Sequence, residues 1–150
     1  MLNSPDFKEL LSILEKHRAR YLVVGGYAVM KYTEPRFTKD VDLWISTDEE
    51  NAKAVFAALK EFGAPLKNLT ARDFTQKEYF YSMGNPPMRI DIMMSIPGVE
   101  FEGAWKRREK ALVGGVVVPF ISKADLIKAK KAGGRPQDLL DTEKLKNSGK

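Results

Sequence analysis

Cysteine is absent from the chain, and histidine occurs once, at His17. Without thiolates there is no disulfide framework and no Cys-ligated zinc site. Long apolar runs are missing too: "GGVVVPFI" is among the longest and is far too short to cross a bilayer. The opening "MLNSPDFKELLSILEKHR" alternates apolar and charged residues at helical spacing, unlike an export signal with its basic start and apolar core. Nor is there an internal repeat or a low-complexity segment. These absences exclude a membrane protein or a disulfide-stapled secreted module, and they make a cytoplasmic location the default expectation.

What is present is ordinary globular material: 150 residues, 43% hydrophobic and 30% charged. That length suits a single domain over residues 1–150, with a helical C-terminal segment at about 122–148. The formal charge of +5 favours contact with polyanions such as nucleotides or RNA, although lysine-rich surfaces also serve solubility alone. The bases concentrate late, in "WKRREK" and "SKADLIKAKKAGGRPQD", whereas residues 40–50 are acidic.

Local signals predict the elements. A helix over residues 5–17 has Ser4 as N-cap and Pro5 at its first position. "YLVVG" is a buried strand, followed by a Gly25-Gly26 turn into a two-turn helix that Pro35 interrupts. "VDLWIS" is a second strand, and "TDEENAKAVFAALKEFG" is a helix capped by Thr47 and stopped at Gly63. "KEYFYSMGNPPMRIDIMMS" reads as a hairpin connected through Gly84, Asn85 and two prolines. A short helix around "GAWKRREKA", a strand "GVVVPFI" and two helices, "SKADLIKAKKA" and "RPQDLLDTEKLK", complete the chain. This order predicts an α/β (α+β) fold with flanking helices and a mixed sheet in place of a doubly wound parallel one.

Two strands carry carboxylates. Asp40 and Asp42 share a face with Trp44, opposite Val41, Leu43 and Ile45, and Asp91 shares a face with Arg89 and Met93. Side-by-side negative charges call for a bound cation or for exposure to water, and Asp-x-Asp also occurs by chance on exposed strand faces. If the strands are neighbours, three hard oxygen donors converge and suit Mg²⁺, with Mn²⁺ as a substitute. Two such ions would clamp an in-line displacement at phosphorus. A Gly-Gly turn at a helix N-terminus beside them offers N–H groups to a phosphate. Without a cation, at least one of the three carboxylates should have a raised pKa.

The stretch "VVGGYAVMKYTEPRFTKDVDLWIS", then "MRIDIMM", then "SKADLIKAKKAGGRPQDLLDTEKL" resembles the nucleotidyltransferase superfamily with the DNA polymerase β fold. It resembles in particular the minimal nucleotidyltransferases found among toxin-antitoxin proteins and, more distantly, the aminoglycoside and lincosamide nucleotidyltransferases. The resemblance covers roughly residues 20–145 and rests on the order of the motifs. It implies transfer of a nucleoside monophosphate from Mg-NTP to a hydroxyl on RNA (such as a tRNA end), a protein or a small molecule. It also implies that Gly25 and Gly26 hold the triphosphate turn, that Asp40, Asp42 and Asp91 ligate metal, and that Asp91 activates the acceptor. Arg36 and Thr38 match an Arg-x-Thr-x-Asp-x-Asp form, and Lys130 and Arg135 would reach the triphosphate. Where most members have Gly-Ser, this chain has Gly26.

Each assignment has a plainer counterpart. Arg36 could pair with a phosphate or with the acidic cluster. Asp138 and Asp141, one helical turn apart, could form buried ion pairs with Arg135 or Lys130 and orient those bases. His17 is accounted for by the dipole at its helix end, Trp44 and the methionines at 88, 93 and 94 by packing, and "KRREK" by a solvated face. A different class of function also fits the missing serine and the small size: a catalytically silent, antitoxin-like module that binds protein or RNA.

Overall fold

The computed structural model describes residues 4–38, 40–84 and 89–149. Helix α1 (Pro5–Lys16) starts where the Phe7 N–H donates to the Ser4 hydroxyl, and it buries Phe7, Leu10, Leu11 and Leu14. Strand β1 (Tyr21–Val24) is buried throughout and runs directly into α2 (Gly25–Tyr32). Strand β2 (Asp40–Ile45) leads to α3 (Glu49–Phe62), which Gly63 ends in the left-handed conformation at φ 95°. After one 3₁₀ turn (Ala71–Thr75) come β3 (Phe80–Met83), β4 (Arg89–Met93), α4 (Phe101–Lys106), β5 (Glu109–Val113) and β6 (Val116–Phe120). Helices α5 (Lys123–Gly133) and α6 (Pro136–Asn147) close the chain.

Among the described residues the strands form one six-stranded sheet in the order β3-β4-β2-β1-β6-β5. Pairs β1/β6 and β2/β4 are parallel and the others antiparallel, so the sheet is mixed, as the element order predicts. The buried core runs through both central strands: Val41 and Leu43 of β2 are fully covered, as are Leu22 and Val23 of β1. The neighbours β1 and β4 therefore flank a strand whose other face begins with two aspartates.

Four local expectations change. Asp48, not Thr47, caps α3: its carboxylate accepts from the Asn51 N–H at 2.8 Å, which also suits the positive end of the helix dipole. The helix expected around "GAWKRREKA" ends at Lys106, and Glu109–Val113 forms an edge strand paired with β6. That strand exposes Leu112, so its burial alternates too weakly to read from composition. Within "KRREK", Arg107 makes a two-point pair with buried Asp125, and the Arg108 guanidinium lies 3.9 Å over the Trp105 ring, so the run is only partly solvated. His17, besides ending α1, places Nε2 2.9 Å from Glu61. The hairpin connection at Asn85 and the two prolines, and Met88, lie outside the described residues. Met94 is buried and Met93 partly so.

Candidate active site

Strand register builds the site. Val24 pairs with Asp42 across β1/β2, Asp42 with Asp91 across β2/β4, and Asp91 with Ser82 across β4/β3. One row across four strands thus holds two carboxylates side by side, with Asp40 two residues away on the same face and in register with Arg89. Trp44, next on that face, is buried and meets Phe101 edge to face at 5.0 Å, so it packs.

The carboxylates differ in their surroundings. Burial pushes Asp42 up to about 6, and the neighbouring negative charges of Asp91 and Asp40 add to the effect, against partial relief from Lys130. The sequence predicts one raised carboxylate from mutual repulsion; Asp42 is raised, with burial ahead of repulsion as the cause. Ser82 donates its hydroxyl to Asp91 Oδ1 at 2.5 Å. Arg89 Nε stands 3.3 Å from the same oxygen and 3.8 Å from Asp40 Oδ1.

Two glycines form the turn beside the row. Gly25 has φ +70°, and a Cβ built on it would lie 2.0 Å from Asp42 Oδ2. Conformation and space both require glycine there, and Asp42 therefore sits against the first residue of α2. A Cβ on Gly26 would lie 2.7 Å from Thr38 Oγ1, 3.0 Å from Thr38 Cβ and 3.6 Å from Arg36 Nη2. A serine at 26 would collide with Thr38, whose own hydroxyl occupies that side of the turn. The N-cap residue of α2 is Val24, whose side chain cannot cap, and among the described residues no side-chain hydrogen bond caps the helix's first N–H groups, which point where a phosphate could sit.

The α5–α6 hairpin supplies bases on buried acids. Lys130 Nζ lies 3.1 Å from Asp141 Oδ2 and 3.4 Å from Asp138 Oδ1. Arg135 grips Asp138 through Nε at 2.9 Å and Nη2 at 3.3 Å, while most of its side chain is exposed. Arg36 forks onto Asp141, which also accepts from Gln137 at 2.9 Å. Burial would raise Asp138 and Asp141, but hydrogen bonds from these partners hold both below the usual carboxylate range. Lys130 and Arg135 both act electrostatically on Asp42, which places the hairpin's positive side toward the row.

The structure therefore draws Asp40, Asp42, Asp91, Gly25, Gly26, Thr38, Arg36, Lys130 and Arg135 into one neighbourhood. Arg36 goes to Asp141 and not to the strand carboxylates, a pairing across 105 positions that no local pattern announces. Ser82 and Arg89 are the residues that sequence reading leaves without a role. Arg89 was legible as sharing a face with Asp91, but its contact with Asp40 needs the β2/β4 register.

Fit to a divalent cation rests on the donor set. Asp40, Asp42 and Asp91 offer hard oxygens on one face, and Asp42 is raised first by burial and then by its negative neighbours, the part that positive charge would relieve. As the side chains stand, no three carboxylates among the described residues are gathered closely enough to enclose a metal ion. Arg89 lies between Asp40 and Asp91. A cleft of about 510 Å³ lined by Thr47, Glu49, Lys53, Ala71, Arg72 and Thr75 lies past the other end of β2 and has no such convergent set.

Comparison with known proteins gives these features a family. Residues 6–148 match a family model described as "Nucleotidyltransferase of unknown function (DUF6036)". No curated protein matches the chain. Among solved structures, the fold is similar to the lincosamide antibiotic adenylyltransferase LnuA in its lincomycin-bound form, with a TM-score of 0.61, 16% identity and 95% of each chain covered. It is also similar to a candidate nucleotidyltransferase (TM1012) of Thermotoga maritima, with a TM-score of 0.59, 16% identity, and 93% of this chain and 89% of that one covered. At such identity these structures speak for the fold alone, the polymerase-β-like nucleotidyltransferase fold.

Proposed function

Because the chain belongs to this nucleotidyltransferase family, we propose that the carboxylate row performs a metal-dependent transfer of a nucleoside monophosphate from an NTP to a hydroxyl acceptor. The observation that carries this reading is the register pairing of Asp42 with Asp91 beside the uncapped turn at Gly25-Gly26. Neighbouring carboxylates attract a cation and a helix N-terminus attracts an anion, and Mg-NTP brings both together.

In the reaction, the turn and the Thr38 hydroxyl hold phosphate oxygens, and Lys130 and Arg135 balance charge on the triphosphate. Arg36, tied to buried Asp141, fixes the segment carrying Thr38 against the turn. Asp91 receives the acceptor's proton, oriented by the Ser82 hydrogen bond. The acceptor oxygen attacks the α-phosphorus and the new O–P bond forms as the bond to the bridging oxygen breaks. That electron pair leaves with pyrophosphate. A divalent cation held by Asp40, Asp42 and Asp91, Mg²⁺ or Mn²⁺ and two ions by analogy with two-metal sites, supplies the charge that makes both oxygens tolerable in the transition state.

The net charge of +5 supports a polyanionic acceptor such as an RNA end, with a partner protein or a small molecule as the alternatives. The test is incubation with Mg²⁺, NTPs labelled at the α-phosphate and a mixed tRNA and protein extract. A labelled species should form, should vanish with chelator, and should not form with Asp42→Asn. Equal labelling by the variant contradicts the reading. A toxin-antitoxin role predicts growth arrest on expression of the parent and none with Asp42→Asn.

A further inference from the structure

We propose that Arg89 is the mobile counter-ion of this site: a divalent cation displaces its guanidinium from Asp40 and Asp91, and the freed side chain binds a phosphate of the incoming nucleotide. The inference rests on the metal-dependent reading above and adds a binding residue to it.

The manner in which Arg89 is held sets it apart from the other arginines near buried or paired acids. Arg36, Arg107 and Arg135 each place two nitrogens on both oxygens of one carboxylate. Arg89 instead reaches two different aspartates through Nε alone, at 3.3 and 3.8 Å. Two-point pairing is the strong, geometrically specific form, and a single long contact is the weak one. The Asp91 oxygen it touches already accepts the closer Ser82 hydroxyl at 2.5 Å. The Arg89 side chain is 43% exposed, against 16% for Asp91, so it can swing outward without emptying a packed pocket.

Chemistry supplies the displacement. A cation of charge +2 seated on Asp40 and Asp91 uses the oxygens that Arg89 now shares and repels the guanidinium at contact distance. Arg89 stands on β4 in register with Asp40 and two residues from Asp91, so a nucleotide arriving at these carboxylates brings its phosphates within reach. A planar guanidinium fork suits phosphate oxygens.

Calorimetric titration of the parent, Arg89→Gln and Arg89→Lys with Mn²⁺ alone, then with Mn-tripolyphosphate, tests this. Arg89→Gln should bind bare Mn²⁺ roughly tenfold more tightly and Mn-tripolyphosphate roughly tenfold more weakly, a shift of opposite sign for the two probes. Arg89→Lys should keep the parental Mn²⁺ affinity and fall between the two on tripolyphosphate. Arg89→Met serves as a second uncharged variant should Arg89→Gln fold poorly. Unchanged affinities, or changes in the same direction for both probes, overturn the inference. A parent that binds neither probe overturns the metal-dependent reading and Arg89's role with it, whereas a parent that binds both while Arg89→Gln matches it overturns the Arg89 role alone.

Discussion

Strand β2 has charged groups at both ends, and they are assembled on opposite terms. Past Ile45, Arg20 donates to Glu102 at 2.7 and 2.9 Å, to Asp48 at 3.0 Å and to Ser46 at 3.1 Å, and its guanidinium lies against the Phe101 and Trp105 rings. Asn51 ties the same corner to the backbone of Arg20 and Ser46. Asp48 is lowered although burial opposes it, and Glu102 is lowered chiefly by its hydrogen bond from Arg20. At the other end, Asp42 is raised to about 6 with two carboxylates beside it. One end pairs its acids with Arg20 and holds them low, and the other keeps a carboxylate raised by burial and by its negative neighbours. The contrast separates a corner whose charges are mutually paired from the row proposed to bind metal and nucleotide.

The α5–α6 hairpin joins the two styles, because its acids are fully paired while its bases face Asp42. Breaking it should have the largest effect. Asp141→Ala strips a fully buried carboxylate from Arg36 and Lys130, and loss of about 3–5 kcal/mol in denaturant unfolding is expected.

Asp42→Asn should act in the opposite direction. A carboxyl whose folded value lies near 6 against an ordinary 3.8 favours the folded state when protonated, and that advantage disappears as pH rises from about 4 to 6. The metal-free variant should therefore exceed the parent by on the order of 2–3 kcal/mol at neutral pH, with the difference shrinking toward pH 4. A pH series of unfolding curves for both proteins checks the sign. Constant difference across that range would remove the electrostatic account of the row.

Arg20→Ala should cost about 2 kcal/mol, the range for charged hydrogen bonds, and leave metal and nucleotide affinity as in the parent. Any loss of Mn-ATP binding in that variant would blur the comparison. The smallest effect is expected for Gly26→Ser. It brings in a hydroxyl, yet the added Cβ meets Thr38 at 2.7 Å, so stability should drop by about 1 kcal/mol and nucleotide affinity should fall. Thr38→Ala combined with Gly26→Ser should recover part of both.

Much of this was legible because it is local. Ser4 as cap, Gly63 as stop, the strand alternation around Asp40 and Asp91 and the pairing of Asp138 and Asp141 with nearby bases follow from spacing along one element. Thr47 and Asp48 are both good caps one residue apart, and only the carboxylate reaches Asn51 N–H. Strand β5 was hidden because an edge strand with polar and exposed residues has no clear period. The contacts that shape the site's electrostatics are long-range: Arg36 with Asp141, Asp42 with Asp91, Arg89 with Asp40. Each depends on register or on how helices dock, which a single sequence does not encode in any short pattern.

Thermal melting of the parent, Asp42→Asn and Arg20→Ala, each with Mn²⁺, with ATP, and with both, puts the two ends of β2 in one experiment. The parent and Arg20→Ala should gain stability from Mn²⁺ and ATP together beyond either alone, by mass action on the folded state. Asp42→Asn should start higher than the parent and gain almost nothing. If Asp42→Asn gains as much as the parent, or if ATP stabilises the parent equally without metal, the carboxylate row is not the site of metal-dependent nucleotide binding.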